Sequence, residues 1–371
     1  MNAKIYSGFT EVLEKKWKKL EDSSNCFVFQ TYAWSKYWYE TFCTNSGHTS
    51  LYVIVITDDS RKPVLLIPFY LQKKIGLKVL SFIGGNQSDY KSVIADMELL
   101  NDINEFNRYY RFAEQYFPFS DVVHFEKVPD FIGNSKNYLL DSHKFQYQES
   151  AFSLKLPSNY EELRTIVKSK TINDVKRQIK RLNLVGNLVF DCEVKSVYNN
   201  EEIKEMIKQK RARYLATNVP DMFRDERVND FYTNISKIGP SNFHVHFSTL
   251  KLNGEIIATH WGVVYLNRFY FLMPTYLMNE YSIYSPGKVL LNELINWSIL
   301  NKLDVFDFTI GSEHYKKDWC NREICLYQYV SVITLKGYCY LLIIYLKSFT
   351  RRNNLLMNIL KSFISVYRKL F

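Results

Sequence analysis

The stretch YSPGKVLL, residues 284–291, decides how the second half of the chain is interpreted. Ser285 is a residue type favoured just before a helix, and Pro286 suits the first helical turn, where its missing N–H is not needed. Gly287 lets a ligand approach the free amides of that turn, and Lys288 adds positive charge. The stretch therefore predicts a helix start that could also bind a phosphate group, and local sequence leaves both interpretations open.

Strand patterns surround this helix start. Residues 243–276 hold apolar strand patterns separated by the turns LNGE and YLNR, which predicts an antiparallel meander. A helix is predicted at 285–300, followed by the strand VFDFTIG at 305–311. Cofactor sites of such sheets lie where helix N-termini meet strand ends, so this order favours the phosphate interpretation.

The strand at 305–311 carries Asp307 between two phenylalanines, although aspartate is disfavoured in strands. Beyond it, one short loop offers a carboxylate, an imidazole, a phenol and two ammonium groups. These groups belong to Glu313, His314, Tyr315, Lys316 and Lys317. The mixture suits acid–base chemistry, whereas for each residue alone a solvated charged turn is the alternative.

His260 lies in the apolar pattern IIATHWGVVY, where the small neighbours Ala258 and Gly262 leave room for a ligand. A structural core histidine is the alternative. His244 and His246 share a predicted strand face but have no third ligand nearby, so no metal site is predicted. The sequence contains no P-loop, dinucleotide-binding or HExxH motif.

The first part of the chain predicts a separate mixed α/β unit. Its aromatic-rich stretch FVFQTYAWSKYWYE, residues 27–40, ends in a helical pattern. Strands are predicted at 51–57, 62–72, 77–85 and 121–128, with a helix at about 99–117. The second unit opens at residue 150, with helices predicted at 159–184, 199–216 and 225–238 and a last strand at 324–334. These patterns predict one lobe at residues 1–148, a second at 149–335 and a tail at 336–371.

The net charge of +10 is concentrated in the tail, which carries seven basic residues, and no acidic residue follows Glu323. The tail predicts amphipathic helices that either lie on an anionic membrane surface or pack on the protein's own core. The nearly neutral body argues against a nucleic-acid partner. The six cysteines lack metal-site spacing, and no secretion signal is recognised, so reduced thiols in a cytoplasmic protein are expected.

Five motifs in the second unit resemble, in order, those of the GNAT-fold acetyltransferases of the cellulose-biosynthesis type, which are relatives of the Fem-type aminoacyl transferases. They are SKTINDVKRQIKRL, KRARY, GEIIATHWGVVY, YSPGKVLLNELI and VFDFTIGSEHYKKDW. The resemblance covers about 160–320. The first unit resembles the N-terminal half of the same proteins more loosely, through FQTYAWSKYWYETF and LIPFYLQ.

The resemblance implies an α/β (α+β) fold of two tandem GNAT-like lobes with mixed central sheets, plus the helical tail. It implies an acyl-CoA-dependent N- or O-acyltransferase, with acetyl-CoA as the expected donor. The acceptor would be a sugar of a surface polysaccharide or its precursor, either a nucleotide sugar or a lipid-linked carbohydrate, near the inner face of a membrane. The CoA pyrophosphate would lie at Ser285, Gly287 and Lys288, although this loop has fewer glycines than the family's and Pro286 removes one donor.

The same resemblance implies roles for individual residues. Tyr315 would protonate the leaving thiolate or contact substrate, and Glu313 or His260 would act as general base. Asp307 would orient a neighbour or the acceptor hydroxyls, and N–H groups of the HWGVVY strand would polarise the acyl carbonyl. The substrate-binding set is completed by Arg177, Arg181, Arg213, Lys316 and Trp319. For the three arginines a solvated basic helix face is the alternative.

Two other functions remain open from the sequence. One is a Fem-type transferase that takes amino acids from aminoacyl-tRNA for cell-wall synthesis. The other is a non-catalytic GNAT-like protein that associates with a membrane through its tail.

Overall fold

A computed structural model describes residues 1–44, 47–74, 76–192, 200–239, 243–311 and 313–350. The chain divides into two compact units, Met1–Gln148 with Leu326–Phe371, and Glu149–Cys325. The lobes predicted at residues 1–148 and 149–335 and the tail predicted at 336–371 stay predictions. The amphipathic stripe predicted beyond residue 350 lies outside the described residues.

The first unit combines strands with short helices. Its elements in chain order are β1 (Asn2–Tyr6), α1 (Glu11–Asp22), α2 (Tyr32–Phe42), β2 (Thr49–Thr57), β3 (Pro63–Lys74), β4 (Leu77–Phe82), β5 (Ile94–Ala95), α3 (Met97–Leu100), α4 (Ile103–Glu114), β6 (Val122–Pro129), β7 (Phe131–Ile132), β8 (Ser135–Lys136) and α5 (Leu139–Ser142). The strands β1, β2, β3 and β4 pair antiparallel in sequence order, and β4 pairs parallel with β6. Phe69, Phe106 and Phe125 are central to the core of this unit.

The second unit supplies the meander and helix start predicted above. Its elements are β9 (Gln146–Lys155), α6 (Tyr160–Ile166), α7 (Ser169–Val185), β10 (Leu188–Asp191), α8 (Asn200–Ala216), α9 (Glu226–Ile235), β11 (His244–Leu252), β12 (Glu255–Tyr265), β13 (Arg268–Tyr276), α10 (Pro286–Leu300), β14 (Val305–Ile310) and α11 (His314–Trp319). The sheet order is β9-β14-β13-β12-β11-β10. The last elements of the described chain are β15 (Arg322–Val332), which pairs with β6, and α12 (Gly337–Thr350).

The two turns of the meander explain its register. Asn253 and Gly254 join β11 to β12, and Leu266 and Asn267 join β12 to β13; all four have positive φ. Two residues of positive φ form the turn whose twist matches that of antiparallel strands, so each hairpin closes tightly. The predicted meander is therefore confirmed.

Helix α10, predicted at 285–300, packs against this sheet through an apolar face. Leu290, Leu291, Leu294 and Ile295 are buried in the core of the second unit. Within the described residues, no helix is long and apolar enough to cross a membrane.

Candidate active site

The strands β13 and β14 run parallel but pair only at their beginnings. Arg268, Phe269 and Tyr270 face Val305, Phe306 and Asp307, and the described strands share no pairing beyond these positions. The main chain of β13 is therefore free of a β14 partner from Phe271 to Tyr276. The carboxyl ends of the two strands lead to α10 and α11, so the diverging strands and the two helices together form the candidate site.

Irregular backbone marks both strands at the point where they separate. The pairing of β12 with β13 shifts between Trp261 and Val263, and that of β14 with β9 shifts between Asp307 and Thr309. Thr309 has a φ of 56°, a conformation that is rare for a β-branched residue. Such bulges and strained residues cluster at active sites, where they redirect main-chain groups.

The N-terminus of α10 lies at this opening. Ser285 occupies the N-cap position with φ 52° and ψ 55°, and its side chain makes no capping hydrogen bond to the helix. Ser285 therefore occupies the predicted position just before the helix, but in a left-handed conformation that follows the 3-10 helix at Glu280–Tyr284. A Cβ atom added at Gly287 would lie 3.3 Å from Cδ1 of Tyr276 on β13, so the helix start and the strand are in close contact.

Basic side chains from two other helices surround this helix start. Lys288 Nζ lies 3.1 Å from Asp174 Oδ2 on α7, and Arg177 also pairs with Asp174. Arg181 of α7 stacks on the ring of Tyr284, with its guanidinium carbon 4.7 Å from the ring centroid. The Lys288 ammonium, hydrogen-bonded to Asp174, lowers the pKa of that carboxyl.

The third predicted arginine reaches the same place from α8. The guanidinium of Arg213 lies 4.9 Å from the ring centroid of Tyr276, the side chain that packs on Gly287. The structure thus brings the predicted cofactor loop and all three predicted arginines together around the start of α10. Asp174 neutralises part of this charge.

A second group of polar residues lies where β14 ends. Lys316 is 4% exposed, and its Nζ donates to the Ile310 carbonyl oxygen at 2.6 Å. The same ammonium lies 3.1 Å from Oε2 of Glu313, whose side chain is half exposed. Gly311 has a φ of 133°, and a Cβ atom there would lie 2.2 Å from Glu313 Oε2. The lysine and carboxylate therefore pack directly on a glycine.

Tyr315 is half-buried against the core of the same unit. Burial is the main cause that raises the pKa of its phenol; Glu313 adds to the shift and Arg213 opposes it. The phenol therefore keeps its proton at neutral pH and can donate it. Trp319, in contrast, is 2% exposed within the hydrophobic core, so its predicted contact with substrate is not available in this conformation.

Lys210 is a candidate that the sequence patterns do not single out. Its Nζ donates to the Pro274 carbonyl oxygen on β13 at 3.0 Å. Burial lowers the pKa of Lys210 to about 8; Arg213 and Lys316 add to this shift and Glu313 opposes it. Two lysines, Lys210 and Lys316, thus bind carbonyls of the two diverging strands. The KRARY motif contains Lys210, but only the packing of α8 on β13 reveals its position.

Two predicted catalytic residues lie inside the fold instead. Asp307 is fully buried, with Oδ2 2.8 Å from Arg268 Nη1 and Oδ1 accepting from the Thr309 N–H. Its carboxylate thus orients Arg268 and the bulge, and it is not placed to contact acceptor hydroxyls. His260 is also fully buried, with its ring stacked on Phe271 at 4.7 Å between centroids, so it is not placed to act as base in this conformation.

The main-chain donors predicted for the acyl carbonyl lie on the HWGVVY strand, β12, which pairs with β11 and β13 but whose register with β13 skips Gly262. They stay a prediction. Beyond Tyr270, β13 has no pairing with β14 among the described residues, so its main chain is a second candidate source of such donors. Among the described residues no group of three or more His, Cys, Asp and Glu side chains could hold a metal ion.

Residues 169–317 match the family described as Acetyltransferase (GNAT) domain. The match spans α7 to α11 and includes the diverging strands and the start of α10. The predicted GNAT-type acetyltransferase domain is thereby confirmed, and with it the enzyme class, an acyltransferase. No curated protein sequence matches the chain significantly.

Solved structures of similar fold cover most of the chain at low sequence identity. FemX aligns with a TM-score of 0.65 and 11% identity over 92% of this chain and 99% of its own. L-PGS from Bacillus licheniformis aligns with a TM-score of 0.52 and 12% identity over 89% of this chain and 95% of its own. A conserved protein of unknown function from Bacteroides thetaiotaomicron aligns with a TM-score of 0.53 and 13% identity over 88% of this chain and 100% of its own. At these identities the likeness is one of fold.

Proposed function

We propose that this protein, an acyltransferase whose GNAT domain spans residues 169–317, transfers an acyl group from acyl-CoA to an amine or hydroxyl of a carbohydrate precursor. Acetyl is the expected acyl group. The proposal rests on one observation: the N-terminus of α10 lies at the opening between β13 and β14, with basic side chains around it. A pyrophosphate at that helix start would extend a thioester arm between the diverging strands.

The residues at the helix start fit a pyrophosphate group. The first-turn amides of a helix lack partners inside the helix and favour negative charge. Gly287 packs closely on Tyr276, and Arg181 and Lys288 supply cations nearby. Pro286 has no N–H, and the Lys288 N–H donates to the Ser285 carbonyl oxygen at 2.9 Å, so fewer amides are available for a ligand. Asp174 also competes for the Lys288 side chain. These features lead us to expect micromolar rather than nanomolar affinity.

The chemistry proposed for the site is acyl transfer from a thioester, which supplies an activated carbonyl and a thiolate leaving group. Glu313 accepts the proton of the acceptor amine or hydroxyl as its nitrogen or oxygen forms the new bond to the acyl carbon. The carbon–sulfur bond breaks, and the Tyr315 phenol protonates the departing thiolate. Lys210 and Lys316, held on the carbonyls of Pro274 and Ile310, place positive charge near the developing oxyanion.

The acceptor proposed here is an anionic carbohydrate, such as a nucleotide sugar or a lipid-linked sugar phosphate. Arg213 and Lys210 both contact the C-terminal part of β13, at the Tyr276 ring and the Pro274 carbonyl oxygen, and the Tyr276 ring can stack on a sugar. The remaining cations would pair with acceptor phosphate. Arg177 contributes less, because its side chain is exposed and already paired with Asp174.

An aminoacyl-tRNA donor is the competing proposal. It is favoured by the fold likeness to FemX and by the Lys288–Asp174 pair, which occupies a cation of the phosphate loop. It is disfavoured by the nearly neutral charge of the chain before the tail, since tRNA phosphates require many cations.

Release of free thiol from acetyl-CoA, measured with a panel of amino sugars, nucleotide sugars and lipid-linked sugar phosphates, tests the proposal. We expect acceptor-dependent release by the wild-type protein and about 100-fold slower release by Tyr315→Phe. Absence of release with every acceptor, together with transfer from aminoacyl-tRNA, would replace the first proposal by the second.

A further inference from the structure

The helix α12 exposes an apolar face, which we call the α12 face and define by Ile333, Leu335, Tyr338, Leu341 and Leu342. The exposed fractions of these side chains are 55%, 88%, 62%, 36% and 54%. Ile333 and Leu335 belong to the segment that leads into the helix, and the other three lie in its first turns. Large apolar side chains are therefore exposed together over ten consecutive positions.

The opposite side of α12 is anchored to the first unit. Tyr340 is 7% exposed and its hydroxyl lies 2.9 Å from Nδ1 of His124 on β6. The Tyr340 ring packs with Leu77, Val79 and Val122, and Ile344 adds to this cluster. The orientation of the helix is thus fixed by packing, and the α12 face points away from that core.

An anchored surface helix ordinarily presents polar side chains to water. In α12 the sequence YCYLLIIYL, residues 338–346, contains no charged residue, and within residues 338–344 Tyr338, Leu341 and Leu342 are exposed. Contiguous exposed apolar surface of this kind marks an interaction site. The described part of α12, Gly337–Thr350, is too short to span a bilayer.

The charge around the α12 face indicates what covers it. Lys336 is exposed between Leu335 and the helix, and Lys347, Arg351 and Arg352 follow in the sequence. No acidic residue occurs from residue 324 to the end of the chain. The Asp121 carboxylate, which accepts from Thr334 beside this face, is 9% exposed. Exposed apolar side chains with exposed cations beside them are complementary to an anionic lipid surface, where leucine enters the acyl boundary and lysine pairs with headgroup phosphate.

We propose that the α12 face binds the surface of an anionic membrane, with α12 lying in the plane of the interface. This inference goes beyond the proposed acyl transfer and does not depend on it. It assigns membrane binding to the described first turns of α12, independently of residues 351–371. It also gives Leu335 and Leu342 a direct role in the interaction.

Flotation of the full-length protein with vesicles tests this proposal. One set of vesicles contains about 30 mol% phosphatidylglycerol in phosphatidylcholine, an anionic content at which the surface attracts basic segments strongly. The other set contains phosphatidylcholine alone. The variant is Leu335→Glu/Leu342→Glu. The control is Leu300→Glu, since Leu300 is 72% exposed at the end of α10 in the other unit.

We expect wild type and Leu300→Glu to float with the anionic vesicles and to bind the neutral ones at least about tenfold more weakly. The double variant should lose at least about tenfold in partition coefficient on anionic vesicles. Its thermal unfolding should match that of wild type, because neither leucine is buried. Wild-type binding by the double variant would overturn the proposal. So would light scattering that shows a wild-type dimer and a monomeric double variant, since the face would then bind a second copy.

Discussion

Substitution of Gly311 by alanine should disable the site through two separable effects. Gly311 has a φ of 133°, and the added Cβ would lie 2.2 Å from Glu313 Oε2 and 2.6 Å from Lys316 Nζ. The backbone conformation alone costs about 1–2 kcal/mol for an L-residue. Both contacting atoms must also move, and a shift of about 1 Å in a catalytic group lowers the rate by about 100-fold. We therefore expect a loss in both stability and kcat.

Gly254→Ala is the matched control for this prediction. Gly254 also has a positive φ, 85°, in the turn between β11 and β12, but an added Cβ would meet nothing within 4 Å. Urea denaturation should show a similar backbone cost for both variants, whereas thiol release from acetyl-CoA should fall only for Gly311→Ala. Equal activity of the two variants would refute the reasoning that Glu313 and Lys316 form the reacting group.

Three further predictions address the fold and the chemistry. Tyr315→Phe should lower kcat about 100-fold or more with little change in KM for acetyl-CoA, because only the proton donor is lost; a change in KM alone would assign Tyr315 to binding. Gly262→Ala should destabilise the protein by about 2–3 kcal/mol in urea denaturation, because the added Cβ would lie 2.3 Å from the Tyr270 carbonyl oxygen. Gly239→Ala is the control and should not destabilise the protein, since its added Cβ would meet no atom within 4 Å. Burial raises the pKa of Glu21 to about 7. Its contribution to stability is therefore present below about pH 4 and is lost as the pH rises through 7. Glu21→Gln should remove this pH dependence of the free energy of unfolding, and an unchanged pH dependence would contradict the assignment.

Local patterns in the sequence predict the frame of the site well. Short-range rules predict the turns at residues 253–254 and 266–267 and the start of α10, and the structure has them where predicted. Helix α1 follows the same rules, with Thr10 capping its first turn and Leu13 and Trp17 buried. This helix is not among the predicted elements, although its cap and its buried face are both local features.

Long-range packing determines what the sequence did not predict. The aspartate in the strand at 305–311 suggested a reacting carboxylate, but Arg268, 39 positions away in the chain, pairs with it in the core. Lys210 reaches Pro274 only because α8 packs on β13. The left-handed conformations of Ser285 and Thr309 also depend on neighbouring elements, since neither residue type favours them.

Calorimetric titration with CoA tests the central claim most directly, since the claim is that α10 and its cations hold the pyrophosphate of an acyl-CoA. The account predicts one CoA per chain with micromolar affinity, weakened about tenfold in Arg181→Gln, which removes the cation on Tyr284. Absence of measurable binding by the folded wild-type protein at millimolar CoA would contradict it.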